Sequence, residues 1–458
     1  MDVLRLFFAV AAITFIGFNI LYPVSFRRSG LHIIEKAFVS YGVGIGFVTL
    51  EMLALFLLKK DFSIFNMTAP WAPFFCINLF IYLRDRNKHS KVQKETQKGG
   101  NGLLKIFLVT AIAFEALYVV FRTMIKPIES YDAVAIYAIK SKIFYLAGAI
   151  PQDFFQTLAA AFPHPDYPLN IPLVETFIYI FMGSLNDQLV KVIFPLFFFG
   201  ILALLYYGIR RFASASYALL FVFLLATIPQ FNEYATNAYL DLPFAYYYFA
   251  SFIFLFLWFK DNKDTGSLVV SAIMAALSAW TKNEGLMYCG INILLIGSFL
   301  FFERNKISMK NILQVIAYIS IIAVISLPWI FIKKTWNITN SDVGATALTP
   351  FGFLGQLYKL GPIFYEFQKQ FFGPKKWNLI WPVFLFVLAF NYKNVLKGLN
   401  KYIALSIVFI VGGYVFIYLI SHVEINYFLS RTWGRFLIHF LPVVMYLLAR
   451  LLKEDVKV

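Results

Sequence analysis

The sequence predicts an all-α polytopic membrane protein of about thirteen transmembrane helices, with shorter helices at its outer surface. Three observations carry that prediction. Of 458 residues, 60% are hydrophobic and 19% aromatic against 14% charged, and the mean hydropathy is +0.72, well beyond ordinary soluble domains. The apolar residues gather in long runs without the period-two alternation of barrel strands. Lysines and arginines gather in six clusters that one topology places on the same side, as the positive-inside rule requires, with Lys333, Lys334, Lys375 and Lys376 against the trend.

Runs near residues 3–24, 34–58, 68–84, 104–123, 189–209 and 214–231 are each long enough to be read as spans, as are those near 242–260, 266–281, 285–302, 310–332, 378–391, 402–421 and 435–452. The first is too long for a signal-peptide core and lacks a small-residue cleavage site, so it is read as a helix. The formal charge of +16, from 40 Lys and Arg against 24 Asp and Glu, reflects basic cytoplasmic loops and implies no nucleic-acid partner. Cys76 and Cys289 stand far apart in apolar runs, which argues against a disulfide framework or a thiolate metal site.

Six basic clusters set the orientation: Arg27 with Arg28, the loop starting at Arg84, Arg210 with Arg211, residues 304–310, residues 393–401 and the tail from Arg450. Placing all six inside puts residues 129–175, 232–241, 282–284, 333–376 and 422–435 outside. The apolar stretch 171–182 would invert this order if it crossed the membrane. At about 18 Å it is too short, and it is read as a juxtamembrane helix with Glu175 at the interface. Residues 351–372 read as amphipathic segments on the outer surface, broken at Gly361-Pro362.

The outer segments hold the candidate chemistry. A helix beginning near Ser130 carries Asp132 in its first turn, with Lys140 and Lys142 farther along. A carboxylate on an apolar surface at the outer end of a membrane protein suits a general base, although by itself it reads more often as complementing the helix N-terminus. The proline-rich HPDYPLNIP fixes an extended path that holds His164, Asp166 and Tyr167 in place. His164 and Asp166 are candidate ligands for a divalent metal, but two residues in a turn are a weak metal pattern. Asp241, two residues before Pro243, reads equally as an ordinary helix start. Lys282 and Glu284, with almost no loop to solvate them, pair with each other or leave Lys282 for a phosphate. Arg431 and Arg435 are the unusual outward arginines and call for a partner.

Taken in order, these residues resemble the GT-C superfamily of polytopic glycosyltransferases, which includes the protein O-mannosyltransferases and the lipid A aminoarabinose transferases. Asp132 matches the acid of the first outer loop, HPDYPLNIPLVE the His-Pro-rich stretch, YLDLP the second acidic turn, and SAWTKNEG the lysine turn set against the donor phosphate. Ala133 and Ala135 stand where several members have further acidic or basic residues, so the resemblance leaves metal dependence open. It covers residues 104–332 and implies three regions: a membrane module 1–103, a catalytic module 104–332 with outer loop 124–188, and a C-terminal part 333–458.

The resemblance implies a hexosyl- or pentosyltransferase acting on the extracytoplasmic face, at the inner membrane if the protein is bacterial. It would move a sugar, with inversion, from a polyprenyl-phosphate donor to a lipid, glycan or protein acceptor. Asp132 is then the base, and Lys282, Arg435, Lys140 and Lys142 are candidates for the donor phosphate. Asp241, Glu284 and Tyr167 are candidates for substrate binding or a second acidic site. A lipid-linked sugar flippase would use the same charges for transport, and a glycan ligase with a diphosphate donor would lean more on the outer arginines.

Overall fold

The structure is a computed structural model that describes residues 1–27, 29–85, 102–158, 164–261, 264–303, 308–339 and 350–454. Arg28, most of the basic loop after Arg84, residues 304–307 and the last residues of the tail lie outside these. Among the described residues every named element is a helix. In chain order the principal ones are α1 (Asp2–Phe26), α2 (Ile33–Leu57), α3 (Ile64–Arg84), α4 (Gly102–Met124), α5 (Ile139–Ala147), α6 (Asn170–Met182), α7 (Asp187–Arg210) and α8 (Ala215–Ala226). They continue with α9 (Asp241–Lys260), α10 (Thr265–Thr281), α11 (Gly285–Glu303), α12 (Met309–Thr335), α13 (Leu360–Phe371), α14 (Ile380–Phe390), α15 (Asn400–Ile420) and α16 (Ile425–Lys453).

Ten of these are long and apolar enough to cross a membrane, so the chain is a multi-pass membrane protein. Length alone does not confirm the expected thirteen spans among the described residues, since α8, α10 and α14 have 12, 17 and 11 residues. At 1.5 Å per residue they rise about 18, 25 and 17 Å, against a hydrocarbon core of about 30 Å. An apolar run does not report where its helix stops. In α8 the stop is at Thr227, and Pro229 opens a separate short helix, Pro229–Tyr234.

The helices share two chemically distinct ends. At one, Arg211 pairs with Glu35 (2.6 Å), Lys401 with Glu303 (2.7 Å), and Arg450 bonds Asn400 (2.6 Å). At the other stand Asp132, Asp241, Lys282 and Arg435. Each of the three short helices still runs between the ends. From Arg211 the chain passes through α8 to Asp241, and α10 runs from Gly266, beside Val24 and Ser25, to Lys282. α14 leads from Asn378, bonded to the carbonyl of Thr227, toward Asn400.

Helix α6 corrects another expectation. Instead of setting Glu175 at the interface, the expected juxtamembrane helix is enclosed by α1, α2 and α5, with its first ten positions, 170–179, all buried. Glu175 is 1% exposed and accepts a hydrogen bond from Ser141. Burial pushes its carboxyl up to about 8. Burial, not an interface, accommodates this side chain by favouring its neutral form. The Gly361-Pro362 break is instead the first turn of α13, where proline is tolerated. Phe367 and Phe371 of that helix stack on each other at 3.9 Å and reach Trp433 and Trp381.

Two close contacts bind the first two helices to each other. A Cβ on Gly17 would lie 1.9 Å from the carbonyl oxygen of Ser40, and one on Gly44 1.9 Å from that of Ile13. Small residues thus let the α1 and α2 backbones touch. Gly44→Ala is expected to cost about 1–3 kcal/mol by forcing the two helices apart, read as a lower thermal midpoint in detergent. A wild-type midpoint would show that the crossing is looser. Deeper in, the Thr49 hydroxyl of α2 donates to Asn170 Oδ1 (2.7 Å) and accepts from Trp280 Nε1 (2.9 Å). Asn170 Nδ2 in turn donates to Thr281 Oγ1 (2.9 Å). This buried network ends one residue before Lys282.

Candidate active site

Asp132 opens a helical stretch whose first part, Ala133–Ala138, has the wider π turn before α5 begins. Such turns occur mostly as single insertions and often at functional sites. The Asp132 carboxylate makes no capping bond to its own helix. It accepts from Arg435 Nη1 at 2.6 Å instead, and both side chains keep some exposure, 22% and 16%. The helix-cap reading of Asp132 therefore gives way to an ion pair across 303 residues of sequence.

Arg435 Nε also donates to Asp241 Oδ2 at 3.1 Å, and its guanidinium lies 4.9 Å from the Tyr239 ring centroid. Asp241 is wholly buried at the first position of α9. Its other oxygen accepts from Lys282 Nζ at 3.0 Å and meets His439 Nε2 at 2.9 Å. A buried carboxylate is tolerable only when so fully engaged. Lys282 also meets Glu284 at 3.2 Å. Burial by itself would raise the Glu284 carboxyl, but Lys282, His439 and a backbone amide together hold it below its ordinary value. Both the pairing expected of Lys282 with Glu284 and a further acid partner are thus present.

Local sequence explains how Lys282 is held. It is the extended residue closing α10, and the chain turns at once into α11. A Cβ on Gly285 would lie 2.2 Å from the Ala279 nitrogen, so only glycine allows the two helices to approach so closely there. His439 follows Arg435 by one helical turn and shares its face. Its Nδ1 bonds the Tyr414 hydroxyl, which meets that of Tyr288 at 2.9 Å.

A second group lies beside the first through Asn283. That side chain donates to Asp166 Oδ2 (2.5 Å) and accepts from Lys333 (3.4 Å). Lys140, 1% exposed, donates to the His164 carbonyl at 3.3 Å. Burial draws its ammonium down to about 8 against the pull of Asp166, and burial raises the Asp166 carboxyl. His164 stacks on Tyr167 (4.7 Å between centroids), and Tyr167 on Tyr137 (6.3 Å).

Of the residues singled out in sequence, Asp132, Asp241, Lys282, Glu284 and Arg435 come together. Lys140, His164, Asp166 and Tyr167 form the adjoining group. Lys142 joins neither: it pairs with Asp187 at the start of α7 (2.7 Å), where Tyr179 also donates (2.9 Å). No group of three or more His, Cys, Asp or Glu side chains suited to a metal occurs among the described residues, and Asp166 is engaged by Asn283. His439, Asn283, Tyr239 and Tyr414 were not anticipated. The spacing of Arg435 and His439 was the available signal for the first of them.

Comparison with known proteins bears on the fold. Residues 164–331 match the family model described as dolichyl-phosphate-mannose-protein mannosyltransferase. The fold is similar to that of ArnT from Cupriavidus metallidurans in its apo state, with TM-score 0.51 and 14% identity over 76% of this chain and 59% of that one. The structure of the same ArnT bound to undecaprenyl phosphate gives TM-score 0.50 and 14% identity, over 76% of this chain and 60% of that one. The chain thus spans about three-fifths of the ArnT it matches. No curated protein matches the chain. The architecture is that of a polytopic membrane protein with the GT-C fold. Its resemblance to the GT-C glycosyltransferases of the O-mannosyltransferase and ArnT type is borne out by both comparisons.

Proposed function

We propose that this protein transfers a sugar, with inversion, from a polyprenyl-phosphate donor to an acceptor hydroxyl or amine. The observation that carries the proposal is the meeting of Asp132, Asp241, Lys282 and Arg435, from four distant segments, at one end of an ArnT-like fold. By the positive-inside rule that end is extracytoplasmic, because the opposite one holds Arg211, Lys401 and Arg450. On this reading region 104–332 supplies the base and the lysine, and the last helix supplies the arginine.

In the reaction the bond from the sugar's anomeric carbon to the donor phosphate breaks while one to the acceptor oxygen or nitrogen forms. The acceptor's proton passes to Asp132. A donor phosphodiester carries one negative charge, and the departing polyprenyl phosphate gains a second as it leaves. Lys282 and Arg435 stabilise that developing charge. One carboxylate suffices as base, since the leaving group needs no proton. Arg435 is bound to Asp132 at rest, so a phosphate that draws the guanidinium toward itself also releases the carboxylate to act.

This reading predicts a split between cations. Arg435→Ala should weaken binding of undecaprenyl phosphate by about tenfold or more, the size of a lost charge-assisted contact. Lys142→Ala should leave binding within about twofold, because Lys142 is engaged by Asp187 instead. Lipid binding to the purified protein measures both. Equal losses in the two variants would sink the assignment of the phosphate to Arg435.

A further inference from the structure

Tyr137 lies on the π-turn segment that Asp132 opens. Its ring is buried, 1% exposed, and stacked on Tyr167. Its hydroxyl lies within electrostatic reach of Arg435, Asp241 and Asp132, yet has no hydrogen-bond partner among the described residues. Buried hydroxyls are nearly always satisfied, because leaving one unpaired costs stability that a phenylalanine would not. Other buried polar atoms also go unpaired, but Tyr137 is the one that shares the helical stretch of the candidate base.

The geometry points to the Tyr137 hydroxyl as a contact for the sugar of the donor, made when the donor is bound. This rests on the function proposed above. There the phosphate lies against Arg435 and Lys282 and the attacked carbon lies beside Asp132, so the sugar ring occupies the space next to Tyr137. A neutral group that both donates and accepts matches a sugar hydroxyl. A phosphate oxygen only accepts, and two cations already serve it. The stacked rings of Tyr137, Tyr167 and His164 hold the hydroxyl's direction fixed. At rest Arg435 is paired with Asp132, and its move to the phosphate makes room for the sugar. Tyr137 thereby reads the sugar of a donor whose phosphate has already docked.

The test is Tyr137→Phe in the purified full chain, with two probes: undecaprenyl phosphate, and a panel of undecaprenyl-phosphate-linked pentoses and hexoses. The variant should bind undecaprenyl phosphate within about twofold of wild type, and should bind the glycosylated donor preferred by the wild type about five- to tenfold more weakly, as one lost neutral hydrogen bond requires. Its thermal midpoint should be unchanged or higher. Equal losses for both probes would place the contact on the phosphate and overturn the proposal. So would unchanged binding of both, or a lower midpoint with donor binding intact, which would make the hydroxyl a support of the fold. Asp132→Asn, assayed alongside, separates the two readings. If it transfers sugar normally the proposed reaction fails, whatever Tyr137→Phe shows in binding.

Discussion

Asp132→Asn is expected to abolish sugar transfer while leaving the protein folded and able to bind undecaprenyl phosphate. The amide keeps the shape of the carboxylate but takes up no proton, and loss of a general base lowers rates by roughly 10²–10⁴-fold. The fold survives because Arg435 keeps its second partner, Asp241. Asp132 is also partly open to solvent, so the change leaves no uncompensated charge in the interior. Transfer from a polyprenyl-phosphate sugar in isolated membranes measures the effect. Near-normal transfer would remove Asp132 from the role of base.

Asp241→Ala should act in the opposite way, on the structure first. Asp241 is wholly buried and meets Lys282, Arg435 and His439 at once. Removing it leaves buried Lys282 with Glu284 alone and Arg435 with Asp132 alone, and breaking a buried pair in this manner costs about 3–5 kcal/mol. Asp241→Asn retains an acceptor for Lys282 and should cost less. Thermal unfolding in detergent distinguishes the two, and a wild-type midpoint for the alanine variant would mean that the cluster is not assembled as described.

How much of this was readable in advance depends on what each signal measures. Runs of apolar residues located the ten long helices well, since burial in lipid demands length and little else. They overstated α8, because an apolar run continues through residues such as Thr227 and Pro229 that end a helix. Sorting of the basic residues brought the outer turns to one end, and Asp132, Asp241, Lys282 and Arg435 do meet there. The choice between Lys140 and Lys142 was also present in the sequence. Two positions apart on a helix are about 200° apart, so both could not face one site. His439 was hidden inside an apolar run, where a single imidazole reads as part of the span, and only the partner it meets, Asp241, gives it meaning. Tyr137 had no signal of its own, for an unpaired hydroxyl is visible only once its surroundings are known.

The chain of side chains from Thr49 through Asn170 to Thr281 has one more consequence. It starts in the second helix and stops at the residue before Lys282. A protein divided near residue 103 would lose the foundation on which its phosphate-facing lysine stands, even though every residue proposed for the reaction lies in the remaining part. The first helices are thus less an attachment than the keel of the reactive end, and grafting them from a distant relative would succeed only if a hydroxyl arrived at the position of Thr49.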